Sequence, residues 1–180
     1  MDGARFANAL VALGTTPAEM TWKRGVDIVS FGGTKNGCWC AEALVLLDPA
    51  KAKDLPFLRK RAAQLFSKSR FIAAQFEAYF RDDLWLTMAG HANTMSSRLS
   101  EALAASNRIR LAWQPDANEV FAIMPSALME ELTGKGARFY PWARPAAYSG
   151  EIAADETLCR FVTSYATTDE QITAFRALLA

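Results

Sequence analysis

The sequence predicts an α/β unit followed by a smaller α+β module, and three observations carry that prediction. Two short apolar runs, 27–31 and 41–47, flank the segment Gly32-Gly33-Thr34-Lys35-Asn36-Gly37. Strands joined by so tight a glycine-rich turn are antiparallel neighbours. Two long stretches of helical apolar spacing, 55–80 and 82–105, come next. Beyond them the pattern changes to short strand candidates separated by turns and helical pieces, which places a boundary at 105–108 and divides the chain into 1–106 and 107–180.

The elements follow in order. Residues 6–13 carry Ala, Leu and Val at helical spacing and close at Gly14, a residue free to take the left-handed conformation of a helix end. Thr15-Thr16-Pro17-Ala18-Glu19 opens a second helix, with a hydroxyl cap before a proline at its first position. After a connection at 22–25, the runs 27–31 and 41–47 read as buried strands, the second broken by Asp48-Pro49. Residues 55–80 form one long helix or two joined ones; Arg59, Lys60, Arg61, Lys68 and Arg70 lie on its solvated face. In 82–105, Trp85, Leu86, Met88, Ala92, Met95 and Leu99 form the packing side, and His91 takes a structural hydrogen-bonding role. Strand candidates follow at 109–113, 120–124, 138–142 and 158–164. Pro125 opens a helix that Gly134 and Gly136 close. Thr167-Thr168-Asp169-Glu170-Gln171 is a capping sequence before a final helix packing Ile172, Phe175, Leu178 and Leu179.

Composition narrows the function classes. The 180 residues are 51% hydrophobic and 22% charged, which suits compact units rather than a disordered chain. A formal net charge of +1, with no basic stripe, gives no case for nucleic acid or an anionic membrane surface as partner. No apolar run approaches the roughly 18 residues of a membrane-spanning helix, and the start lacks the charged and apolar regions of a signal peptide. The expected location is the cytoplasm. Three cysteines, an odd count, argue against a disulfide framework. Cys38-Trp39-Cys40 lacks metal-site spacing, so no metal is assigned; the two cysteines read as small buried residues on one face of a strand.

Lys35 is the residue on which function turns. The glycines around it let the backbone approach a ligand closely. A lysine at the carboxyl end of a buried strand also stands where α/β sheets place their ligands. That position suits an amine that must meet an aldehyde and form a Schiff base. The plainer alternative is a strand and turn with Lys35 in water, since Lys-Asn-Gly is common turn chemistry.

The motifs Asp2-Gly3-Ala4-Arg5 and Phe31-Gly32-Gly33-Thr34-Lys35-Asn36-Gly37 occur together in this chain, followed by Ala41-Glu42-Ala43-Leu44-Val45, His91-Ala92-Asn93-Thr94-Met95 and Cys159-Arg160-Phe161-Val162-Thr163-Ser164. This ordered set resembles the low-specificity L-threonine aldolases, pyridoxal 5′-phosphate enzymes of the aspartate-aminotransferase fold type (fold type I). The resemblance implies a truncated large domain of that fold plus a small carboxyl-terminal α+β domain. It implies that Lys35 is the Schiff-base lysine and that Asp2 stabilises the protonated ring nitrogen of the cofactor. Arg5 and Arg160 match arginines that hold the substrate α-carboxylate or lie next to it, Arg5 also serving the cofactor. Arg61 and Lys68 match a helix that brings positive charge toward cofactor and substrate; a solvated face stands beside that reading. The implied reaction is cleavage of L-threonine and related β-hydroxy-α-amino acids to glycine and an aldehyde, by a homo-oligomer (dimer or tetramer). Family members carry a phosphate cup and a ring-stacking histidine ahead of the Asp-Gly-Ala-Arg motif. The chain is therefore expected to be a carboxyl-terminal half with incomplete activity. Two alternatives stay open: another enzyme of the same fold type, such as an aminotransferase or β-eliminating lyase, and a non-catalytic remnant acting as an interaction module.

Overall fold

A computed structural model describes residues 1–179. The chain divides into two compact units, Met1–Gly90 and His91–Ala180.

In the first unit, strand β1 (Asp2–Gly3) leads into helices α1 (Phe6–Leu13) and α2 (Pro17–Met20). Gly14 ends α1 in the left-handed conformation (φ 57°), and Thr16 caps α2 by accepting from the Glu19 amide. Strands β2 (Ile28–Gly32) and β3 (Glu42–Leu46) follow, then helices α3 (Leu55–Arg61) and α4 (Ser69–Phe80) and the start of α5 (Leu84–Ala104). The sheet order is β1-β2-β3. β1 runs parallel to β2, with Asp2 beside Ser30 and Gly3 beside Phe31. β3 is antiparallel, from Ile28 beside Leu46 to Gly32 beside Glu42.

Strand alternation turns Val29 and Phe31 inward and leaves Ile28 and Ser30 exposed, so helices cover one sheet face. Phe31 is the hub of the core. Its ring lies 5.6 Å from Phe6, 6.0 Å from Phe76, 5.7 Å from Phe80 and 6.2 Å from Trp85, separations at which edge and tilted ring pairs attract. The residue that opens the glycine-rich motif is thus also the residue that fixes the sheet to α1, α4 and α5.

The second unit holds a four-stranded antiparallel sheet of order β4-β5-β7-β6, from β4 (Arg110–Leu111), β5 (Glu119–Pro125), β6 (Tyr140–Pro141) and β7 (Glu156–Val162). Val120, Ala122, Met124, Cys159 and Phe161 pack against Leu99 and Leu103 of α5 and against Leu128 and Leu132 of α6 (Ser126–Gly134). A buried polar lock ties β7 to its surroundings. Thr163 Oγ1 donates to the Ala92 carbonyl at 2.7 Å, and Asn118 Nδ2 donates to the Thr163 carbonyl at 2.7 Å. His91 Nε2 lies 2.7 Å from the Thr167 carbonyl, the structural bond expected of it. Helix α7 (Asp169–Leu178) begins with a reciprocal cap between Thr168 and Gln171.

Several expectations need correction. Of the two forms allowed for residues 55–80 the structure takes the second, two helices separated by the non-helical segment 62–68, in which Ala63 has a left-handed φ of 56°. The 82–105 helix starts later, at Leu84, after left-handed Asp82 and Asp83. The strands at 109–113 and 138–142 shrink to two residues each, which is all their pairing with β5 and β7 supports. Gly134 lies inside α6; Gly136, at φ 100°, follows its end. The expected burial of 41–47 also fails: Leu44 in β3 is 55% exposed. Finally, residues 38–40 are not a strand, and Cys40 is exposed while Cys38 is half-buried.

Candidate active site

The site begins where the parallel pair β1–β2 ends. β2 stops at Gly32, and residues Thr34–Asn36 form a single 3-10 turn. Gly33 holds this turn from below: its N–H donates to the Ala41 carbonyl at 2.8 Å, and its carbonyl accepts from the Asn36 and Cys38 amides, each at 3.1 Å. Thr34 Oγ1 accepts from the Ala41 amide at 3.2 Å. Gly37 closes the turn at φ 113°, a conformation that side chains rarely tolerate. A Cβ on Gly33 would stand 2.9 Å from Cys38 Sγ and 3.2 Å from the Ala41 carbonyl oxygen, so the double glycine is a packing requirement. Lys35 projects from this turn, exposed. Its side chain makes no hydrogen bond or ion pair among the described residues.

The neighbouring strand supplies the other charged groups. Asp2 aligns with Ser30 on the open sheet face, and its Oδ1 accepts from the Ala4 amide at 2.9 Å, which orients the carboxylate. Arg5 is half-buried at the start of α1, one residue past Ala4. Because β1 and β2 are parallel, the segments that follow them leave the same end of the sheet, Arg5 after β1 and Lys35 after β2. Glu42, level with Gly32, reaches the same end; its Oε2 lies 2.8 Å from where a Gly32 Cβ would be. A cavity of about 480 Å³ opens behind the turn, lined by Gly37, Cys38, Trp39, Phe71, Tyr79 and Met88. Burial there pushes the Cys38 thiol up, with the Glu42 charge adding to the shift.

The remaining candidates lie on other elements. Arg61 ends α3 and Lys68 precedes α4; both are exposed, and neither side chain is hydrogen-bonded or ion-paired among the described residues. Arg160 lies in β7 of the second unit. Its Nη1 donates to Glu119 Oε1 at 3.2 Å, and its guanidinium sits 4.1 Å over the Trp142 ring, a cation–π contact. Its Nε is buried without a hydrogen-bond partner. Two participants escape sequence reasoning. Asn36 is buried beneath Lys35, bonded to Tyr79 and to the Trp85 carbonyl. Glu42 stands in an otherwise apolar strand, and that single charge in β3 is the one signal that marked it.

Comparisons with known proteins identify the family. Residues 1–127 match the family model described as beta-eliminating lyase. The chain is 44% identical over 140 residues to the low specificity L-threonine aldolases of Pseudomonas sp. and Pseudomonas aeruginosa, an alignment covering 78% of this chain and 40% of each relative. The chain thus spans less than half the length of the curated relatives it matches. Among solved structures it is similar to the threonine aldolase of Leishmania major, with a TM-score of 0.84 and 29% identity over 99% of this chain and 49% of that one. A glycine decarboxylase (P-protein) shares the fold, at a TM-score of 0.56 and 15% identity over 94% of this chain and 46% of that one. The α/β architecture expected of a partial fold type I domain is therefore the architecture observed, and the chain belongs to the beta-eliminating lyase family, with low specificity L-threonine aldolases among its relatives.

Proposed function

We propose that this chain forms the lysine-bearing part of a pyridoxal 5′-phosphate enzyme that cleaves L-threonine and related β-hydroxy-α-amino acids to glycine and an aldehyde. One observation supports the reading: Asp2 lies in β1, and Arg5 and Lys35 follow the same ends of the two parallel strands β1 and β2. This donor set fits an aldehyde-bearing pyridinium. The cofactor, when bound, supplies an electron sink for the bond that breaks.

Lys35 would hold the cofactor through its aldehyde, and its amine would stand near the reacting carbon of the substrate. Asp2, fixed by its bond from the Ala4 amide, would stabilise a protonated ring nitrogen. Arg5 and Arg160 orient the substrate carboxylate; the uncommitted Nε edge of Arg160 suits a second, parallel hydrogen bond. Arg61 and Lys68 add positive charge in the same reading. Overall, the β-hydroxyl proton leaves, the Cα–Cβ bond breaks to release the aldehyde, and Cα takes a proton to give glycine. By the change of sequence pattern we assign residues 1–106 to the cofactor-binding domain and 107–180 to a small domain of a homo-oligomer, whereas the compact units divide between Gly90 and His91. A cytoplasmic location belongs to the same reading, since Cys38, Cys40 and Cys159 are free thiols.

The family match favours one second reading, β-elimination on the same residues. Products separate the two: elimination from threonine yields a 2-oxo acid and ammonia in place of glycine and acetaldehyde. The test is to incubate the chain with pyridoxal 5′-phosphate, reduce with borohydride and locate the modified lysine by mass spectrometry. Modification at Lys35, lost in Lys35→Ala, is the expected result. A label on another lysine with Lys35 unmodified would reject the assignment. In the complete enzyme, Arg160→Ala weakens substrate binding by about 1.5–3 kcal/mol and leaves cofactor affinity unchanged.

A further inference from the structure

Asn36 is 3% exposed, although it follows an exposed lysine in a surface turn. Its amide nitrogen spends both hydrogens inward, donating to Tyr79 Oη at 2.7 Å and to the Trp85 carbonyl at 2.8 Å. Tyr79 belongs to α4 and Trp85 to α5, and both are core residues packed against Phe31. One buried side chain therefore joins the lysine turn to two helices that lie 43 and 49 residues further along the chain.

We infer that Asn36 is a positioning residue for Lys35: it pins the turn to α4 and α5, so that the lysine amine is presented outward at the carboxyl edge of β2. The inference rests on the pyridoxal reading above. In a 3-10 turn of about three residues, successive side chains point roughly 120° apart. Seating Asn36 inward therefore aims Lys35 away from the core. The other fastenings act at the ends of the loop. Gly33 bonds to Ala41, and the Cys40 amide donates to Gln75 Oε1 at 3.0 Å. Among the described residues of the turn Thr34–Asn36, Asn36 is the one whose side chain bonds to α4 and α5. Tyr79 is suited to be its acceptor, since burial pushes its hydroxyl pKa up and keeps it protonated and neutral. Asparagine is the residue required here. Aspartate has the same shape but would present an acceptor to the Trp85 carbonyl and bury a charge.

The experiment compares the full chain with Asn36→Asp, Asn36→Ala and Tyr79→Phe. Each is titrated with pyridoxal 5′-phosphate, reduced with borohydride and mapped by mass spectrometry, and amide hydrogen exchange is followed over residues 33–38. Misplacing the amine should raise the cofactor concentration for half-labelling of Lys35 by about 10- to 100-fold in the Asn36 variants. Tyr79→Phe keeps the ring packing and loses one acceptor, so it shifts the same value less and guards against an Asn36 variant that fails to fold. Labelling of the other lysines should stay constant, which a generally loosened fold would not allow. Exchange at 33–38 should rise in the Asn36 variants with or without pyridoxal. Equal Lys35 labelling in all four proteins overturns the positioning role. Faster exchange with no Lys35 label in the parent overturns the pyridoxal reading while the anchor stands.

Discussion

Replacing Gly3 by alanine tests whether the short strand β1 is seated as tightly as the site requires. A Cβ on Gly3 would lie 2.7 Å from the Ser30 carbonyl oxygen, 2.9 Å from Val29 Cγ1 and 3.4 Å from Phe31 Cα. The nearest atom is backbone of the central strand and cannot rotate away. Restoring an ordinary 3.4 Å contact from 2.7 Å asks for a displacement of 0.7 Å between β1 and β2. That shift would strain the bond from the Ser30 amide to the Met1 carbonyl, now 3.0 Å, and carry Asp2 with it. Overpacking of this kind costs about 1–3 kcal/mol, against which the entropy gained by replacing glycine returns roughly 0.4–1 kcal/mol. For a chain of this size each kcal/mol lowers the melting midpoint by about 2–4 °C. Gly32→Ala is the control. Its Cβ would meet the end of the flexible Glu42 side chain at 2.8 Å and backbone only at Ala4 Cα, 3.2 Å away, a milder backbone contact than the 2.7 Å one at Gly3. Thermal unfolding followed by circular dichroism should show a clear loss for Gly3→Ala, several times that of Gly32→Ala. Equal midpoints for the two variants would refute the argument from backbone contact.

Two further predictions concern the second unit. Leu103 is fully buried among Leu99, Ile109 and Val120, so Leu103→Ala should destabilise by about 2–5 kcal/mol in urea unfolding; a loss below about 1 kcal/mol would show that the cavity collapses. Glu156 is paired with Arg110 through two guanidinium nitrogens and accepts from the Ala153 amide, and these bonds hold its carboxyl at about 2, below its ordinary 4.5. A depressed carboxyl stabilises the fold fully above its unfolded value and loses that contribution as pH falls through the folded one. Stability should therefore decline between about pH 4.5 and pH 2, and Arg110→Met should flatten that decline; an unchanged acid slope would remove the pair as its cause.

Local chemistry wrote much of the fold into the chain. Gly14 and Thr16 mark helix ends through their own backbone and hydroxyl preferences, and Thr168 and Gln171 cap α7 as their spacing implies. The apolar runs on either side of Gly32-Gly33 announced antiparallel β2 and β3, because so short a turn permits little else. Lys35 was legible as the reactive candidate for the same reason: its placement is a property of a strand, a turn and neighbouring glycines. What lay beyond local reach was every relation across the chain. Periodicity could not decide between one helix and two over 55–80, where the break is the short segment 62–68 with a left-handed Ala63, nor could it foresee that Leu44 and Val45 of β3 stand exposed. The parallel register that brings Asp2 level with Ser30 depends on pairing over 28 positions, which sequence spacing does not encode. Asn36 makes the point most sharply. In sequence it is an ordinary turn residue, because Asn-Gly serves any tight turn; only the packing of Tyr79 and Trp85 around Phe31 converts it into a buried donor beneath the lysine. A side chain's local conformation follows from its neighbours in sequence, whereas its burial and its partners follow from elements that meet only when the chain has folded.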